Sequence, residues 1–148
     1  MSLDIVKNIS EKFGEHIIGI TEKSTKRIYL EIKREIIREM AGYFFKNLGA
    51  RFSTASAVDN PSNIEILYHF DFDEEGKMLS LRTFIPKNDL RIDSIALTFK
   101  AGEWIEREIH ELLGVNFVGH PNLKRLLLPD DWPENVYPLR KTGMETDA

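Results

Sequence analysis

The chain has 148 residues, 42% of them apolar, a formal net charge of -4 and no cysteine. That length and composition suit one domain with a real core, or one domain plus a tail, while the acidic balance argues against nucleic-acid binding, which needs a basic surface to displace counterions from phosphate. Without cysteine, disulfides and cysteine-ligated iron–sulfur clusters are excluded; no apolar run reaches the ~20 residues that span a bilayer, and the start Met1-Ser2-Leu3-Asp4 lacks a signal-peptide pattern. The expectation is an intracellular protein that reaches a membrane only through partners.

Residues 3–13 read as a short helix, with Ile5, Ile9 and Phe13 at i, i+4 and i+8, Ser2 as candidate cap and Gly14 as candidate stop. Residues 16–20 and 27–32 read as strands around the polar turn 22–26. The strongest helical pattern covers 33–48: Ile36, Ile37, Met40, Tyr43, Phe44 and Leu48 fill one face, and Gly49 follows as C-terminal cap. Residues 51–58 are β-compatible. In 64–72, Ile64, Ile66, Tyr68, Phe70 and Phe72 alternate with Glu65, Leu67, His69 and Asp71. Asp73-Glu74-Glu75-Gly76 is a hairpin turn, 78–85 is the return strand, and Pro86 ends it or marks an edge. A short strand is expected at 95–99 through Ile95, Leu97 and Phe99. A last helix is expected at about 103–113, with Ile105, Ile109, Leu112 and Leu113 as its stripe and Gly114 as its stop.

After Gly114 the character changes. Pro121, Pro129, Pro133 and Pro138 prevent long regular elements. Val115, Phe117, Val118, Leu123, the run Leu126 to Leu128, Trp132, Val136, Tyr137 and Leu139 make the segment too apolar for a solvated linker. The predicted fold class is α+β: a largely antiparallel sheet, helices packed on one face, and an extended C-terminal arm. The boundaries are 1–114 for the core domain and 115–148 for a partner-docking tail.

Catalytic chemistry finds little support in the residues. His110-Glu111 begins like H-E-x-x-H, but position 114 is glycine, so a second imidazole one turn on is missing. His16, His69 and His120 lack ligand partners at useful spacing. No G-x-S-x-G elbow, phosphate loop or G-x-G-x-x-G occurs. Glu106 and Glu108 flank Arg107 on the last helix; by helical phase Glu108 borders the apolar stripe, and Glu106 and Arg107 lie outside it. Two readings stand. Either the group is a solvated charged face, or Glu108 is partly buried and paired with Arg125, clamping the tail to the helix. The segment Gly119 to Arg125, with His120 and Pro121 at its turn, and the cluster Pro138-Leu139-Arg140-Lys141 each set apolar anchors beside positive charge, a pattern suited to docking on an acidic protein surface.

From Trp104 to Lys141 the sequence resembles the signature of the thirty-kilodalton subunit family of complex I, the NADH–quinone oxidoreductase. The matching words are Glu106-Arg107-Glu108, Gly114, Phe117, Gly119-His120-Pro121, Leu123, Arg125 through Leu128, Pro129-Asp130-Asp131-Trp132 and Pro138-Leu139-Arg140-Lys141. Two departures, Ile109-His110-Glu111-Leu112-Leu113 and the spacer Pro133 to Tyr137, look more like the family's energy-converting, membrane-bound [NiFe]-hydrogenase branch.

The resemblance implies a non-catalytic accessory subunit in the hydrophilic arm of a membrane-attached, ion-pumping redox complex. It further implies no cofactor in this chain, with iron–sulfur clusters and possibly NiFe in its partners: a hydrogenase-like large subunit and an iron–sulfur small subunit. The implied place is the cytoplasmic face of the membrane, held there by those partners. The expected docking or tail-clamping residues are Glu106, Arg107, Glu108, Phe117, His120, Pro121, Arg125, Trp132, Pro138, Leu139, Arg140 and Lys141. Isolated copies are expected to associate through the orphaned arm. The competing readings are a free-standing adaptor and a small hydrolase using Glu106, Glu108 and His110.

Overall fold

The computed structural model describes residues 2–123, 131–133 and 136–140, with side chains from residue 5 onward. Helix α1 spans Ser2–Phe13, and a 3-10 turn leads into strands β1 (Ile17–Glu22) and β2 (Arg27–Ile32). A second 3-10 turn, Arg34–Ile36, opens helix α2 (Ile37–Lys46). Strands β3 (Arg51–Asp59), β4 (Asn63–Phe72), β5 (Lys77–Pro86) and the short β6 (Arg91–Asp93) follow, then helix α3 (Ala101–Leu113) and β7 (Asn116–Val118).

The main sheet has the order β1-β2-β5-β4-β3. Three of its four seams are antiparallel; β2 and β5 run parallel, with Ile28 opposite Leu79 and Leu30 opposite Leu81. The predicted α+β class is thus the observed one.

Strand alternation sets the core. Ile64, Ile66, Tyr68 and Phe70 are fully buried, and their neighbours on the other face are half-exposed. A two-residue side-chain period allows this only when one face is covered. The cover is helical: Phe44 of α2 meets Phe70 edge-on at 5.1 Å and Phe72 at 5.6 Å. Phe99 joins Phe52, Phe70 and Phe45 at 5.2–5.7 Å between ring centres. Such pairs add to the area they bury. On α1, Ile5, Ile9 and Phe13 point into the same core, as their spacing requires.

Two expectations are corrected here. The stretch 95–99 is not a strand. Phe99 N–H donates to the Ile95 carbonyl at 2.9 Å, closing an α-turn, so Ile95 and Phe99 are buried on one side while Leu97 is 78% exposed. The strand in this region is β6, which pairs in parallel with β7 through Ile92 and Phe117. The 114/115 boundary also fails to separate core from tail: Val115 and Phe117 are buried in the main core, with Leu123 packed against it. Their apolar surface finds its cover within this chain.

Candidate functional site

The described signature residues Glu106, Gly114, Phe117, Gly119 and His120 lie where α3, β6, β7 and α2 meet. Helix α3 buries Gly102, Glu106, Ile109 and Leu113, a run at i, i+4, i+7 and i+11. The helix also buries Glu111, so its buried carboxylates are Glu106 and Glu111, while Glu108 is half-buried. This corrects the expected helix phase. Glu106 is fully enclosed and accepts from the Ser94 hydroxyl at 2.5 Å and from the Ile95 N–H at 2.9 Å. Ser94 Oγ in turn accepts from the Ala96 N–H at 3.0 Å. One carboxylate thus organises the whole 94–96 turn, supplying acceptors for main-chain groups that no strand pairs. Burial raises its pKa to about 7, against the opposing pull of Ser94, Ile95 and the Arg38 charge. Tyr68, also fully buried, has its hydroxyl pushed further from ionisation by burial and by the Glu106 charge.

At the end of α3, Gly114 adopts φ 84° and its N–H returns to the His110 carbonyl at 2.9 Å. The left-handed turn suits glycine. A Cβ there would also sit 2.8 Å from the Tyr137 ring, which lies over this corner. His110 Nδ1 lies 2.8 Å from the Val115 carbonyl; facing an acceptor, that nitrogen carries the proton.

Arg38 of α2 ties the next layer together. It donates to the Val118 carbonyl at 2.9 Å and to the Ser94 carbonyl at 3.4 Å, and stands 3.7 Å from Asp93. It therefore bridges the ends of β6 and β7. Gly119, at φ 85°, lies directly beneath it: a Cβ would come within 2.7 Å of Arg38 Nη2. His120 then pins the chain to α3. Its Nε2 donates to the Glu103 carbonyl at 2.9 Å, and its Nδ1 accepts from the Asn122 N–H at 2.9 Å. A carbonyl only accepts and an amide N–H only donates, so the ring is the Nε2-protonated tautomer.

Gly119→Ala is expected to cost about 1–2 kcal/mol for the left-handed backbone, with a further penalty from displacing Arg38. In an Arg38→Ala background that penalty disappears. Urea unfolding of the two singles and the double will show the coupling.

The described part of the tail folds back on the same helix. Leu139 N–H donates to the Leu112 carbonyl at 3.0 Å, and Arg140 stacks over Tyr137 at 5.5 Å. Trp132 Nε1 donates to the Val136 carbonyl at 2.8 Å. Leu139 is 58% exposed, Pro138 half-buried and Pro121 exposed.

Of the twelve residues expected to dock or clamp, Glu106, Phe117 and His120 are engaged inside the chain. Phe117, at 1% exposure, has no surface to offer a partner. Arg107 packs its guanidinium over the Trp104 ring at 5.4 Å. Arg125 and Lys141 lie outside the described residues, and so does the expected Glu108–Arg125 clamp. Sequence patterns do not single out Arg38 and Ser94, whose roles depend on contacts far along the chain. Nor do they single out the exposed Trp104 and Leu97, at 60% and 78%.

The hydrolase alternative gains nothing from this geometry. Glu106 is spent on Ser94 and Ile95, and His110 Nδ1 on Val115. A cavity of about 370 Å³ opens instead beside Arg34, Asp89, Arg91 and Val118. There Arg34 and Arg91 both bond Asp89, at 2.7 and 2.6 Å. Among the described residues no cluster of three or more His, Asp or Glu is placed to hold a metal, and no helix is long and apolar enough to cross a membrane.

These contacts define an α+β module in which a dispersed signature fastens a proline-rich C-terminal segment to one helix. The chain belongs to the family described as the respiratory-chain NADH dehydrogenase 30 Kd subunit, whose model matches residues 30–146. It is 30% identical to the C subunit of the NADH-quinone oxidoreductase of Geobacter metallireducens, over 95% of this chain and 91% of that one. It is 31% identical to the C subunit of the F(420)H(2) dehydrogenase of Methanosarcina mazei, over 93% and 88%. Among solved structures, a chain of the membrane-bound sulfane sulfur reductase, an archaeal respiratory membrane complex, superposes with a TM-score of 0.82. That match has 27% identity and covers 95% of this chain and 84% of the other.

Proposed function

We propose that this chain is a cofactor-free accessory subunit of a membrane-attached, ion-pumping redox complex. In this reading it braces a hydrogenase-like large subunit and an iron–sulfur small subunit, and reaches the cytoplasmic face of the membrane through them. The family match over residues 30–146, at near full-length coverage of the two dehydrogenase relatives, is the observation that carries the reading. Its physical complement is the apolar surface left over once the core is filled. Leu97, Trp104 and Leu139 remain 58–78% exposed around α3, and Trp and Arg pairs such as Trp104–Arg107 commonly anchor interfaces.

The test is affinity purification of the tagged full chain from native membranes, followed by mass spectrometry. The reading requires both partner subunits in the eluate; a chain recovered without them sinks it. A Trp104→Ala variant is expected to fold with stability within about 0.5 kcal/mol of the parent, as exposed positions usually do. It is expected to recover several-fold less of the partner subunits.

A further inference from the structure

The main sheet ends in two edge strands, β1 and β3. Edges usually avoid pairing by carrying charge or proline. β1 has no proline and carries one charge, the exposed Glu22 at its end, while Ile18 and Ile20 are 59% and 47% exposed. Lys23 N–H donates to the Arg27 carbonyl at 2.9 Å, and the register sets Thr21 opposite Tyr29 and Ile20 opposite Leu30. Hydrogen-bonded and non-hydrogen-bonded pairs alternate along an antiparallel ladder. Lys23, Thr21 and Gly19 therefore turn their main-chain groups toward β2, whereas Glu22 and Ile20 turn theirs to the open edge. The far side of β2 agrees. The Lys26 carbonyl accepts from Met78 N–H at 2.7 Å, which gives Ile28 and Leu30 to β5 and leaves none of Leu30's main-chain groups for Ile20. The register shift in β1 lies between Ile17 and Gly19, so the segment from Gly19 to Glu22 is regular.

We propose that two copies of this chain pair through β1, antiparallel about a two-fold axis at Ile20, joining two five-stranded sheets into one. The charges flanking the strand select this occupant. Exposed Glu11, Lys12 and Glu15 precede it, one net negative charge, and exposed Lys23 and Lys26 follow its terminal Glu22, one net positive charge. Antiparallel self-pairing sets each acidic end beside the basic end of the other copy, whereas parallel self-pairing opposes like charges. The two-fold contact is self-complementary: the open N–H and carbonyl of Ile20 exchange hydrogen bonds with their own images, and Ile18 and Ile20 leave water together. The inference does not depend on the proposed function, since it concerns the full chain free of other subunits.

Sedimentation equilibrium of the full chain across a wide concentration range reads the result directly. The expected outcome is a reversible monomer–dimer equilibrium. Ile20→Pro removes an N–H that serves no bond among the described residues, so the circular dichroism spectrum should persist while the dimer dissociation constant rises about tenfold or more. Lys23→Glu should weaken the dimer, and Lys23→Glu combined with Glu15→Lys should restore it. If Ile20→Pro unfolds the chain, the charge-exchanged pair decides: restoration supports the interface and its absence overturns it. A chain that stays monomeric throughout overturns it too, and leaves the edge to a strand from another subunit. So does a dimer indifferent to both Ile20→Pro and Lys23→Glu.

Discussion

Phe117→Ala is expected to destabilise the isolated chain by about 3–5 kcal/mol, the usual cost of emptying a buried aromatic site. The ring is 1% exposed and sits on β7, whose pairing with β6 carries Ile92 opposite it and closes the corner under α2 and α3. Its loss opens a cavity bordered by elements that Arg38 and Glu106 hold in place, so collapse around the gap is limited. The effect should appear as a lowered urea midpoint with an unchanged slope, in the absence of any partner. A domain of this kind has a total stability of roughly 5–15 kcal/mol, so a loss of this size removes a large share of it. Unchanged stability together with failed assembly would return Phe117 to the docking role its place in the tail first implied.

The second large effect belongs to Glu106. Its folded-state pKa is raised to about 7, above the value of 4.5 for the exposed group. Below about pH 4.5 the group is neutral in both states, and its contribution to stability is fully present. Between about 4.5 and 7 the unfolded chain releases the proton while the folded chain keeps it, so that contribution drains away as pH rises. Above about 7 both states are ionised and the curve flattens. The total is on the order of 3 kcal/mol. Glu106→Gln, which cannot ionise, should match the parent near pH 4 and exceed its stability by about that amount near pH 8. Urea midpoints for both chains over that range test the claim. Parallel curves for the two would remove Glu106 from the pH dependence altogether.

How much of this was legible in the sequence depended on whether a residue's partners are near it in the chain. The alternation of Ile64 through Phe72, the face of Ile37, Met40 and Phe44, the turn at Gly76 and the stop at Gly114 are local patterns, and each stands where its pattern puts it. The strand expected at 95–99 failed because Ile95, Leu97 and Phe99 satisfy two periods at once. Every second residue is apolar, yet Ile95 and Phe99 are also four apart, and a main-chain bond between them decides for the turn. Glu106 is hidden for a related reason. An apolar stripe drawn through α3 passes over a carboxylate, and only Ser94 and Ile95 explain how one sits in the buried seam. At the site, the signature words picked out the right neighbourhood. They did not reveal that Phe117, Gly119 and His120 act on their own chain, because Ile92, Arg38 and Glu103, which they respectively meet, lie outside those words.

The parallel seam between β2 and β5 has a consequence in time. The pairs β1–β2 and β4–β5 join strands that are neighbours along the chain, so each can form soon after its residues leave the ribosome. The seam cannot. Ile28 must wait for Leu79, with α2, β3 and β4 all made in between. Closing so long a loop is the slow event in building such a sheet. Until Pro86 has emerged, the nascent chain holds a hairpin in which β2, with Ile28 and Leu30, has no strand on its inner edge. That interval is when a growing polypeptide most needs a chaperone.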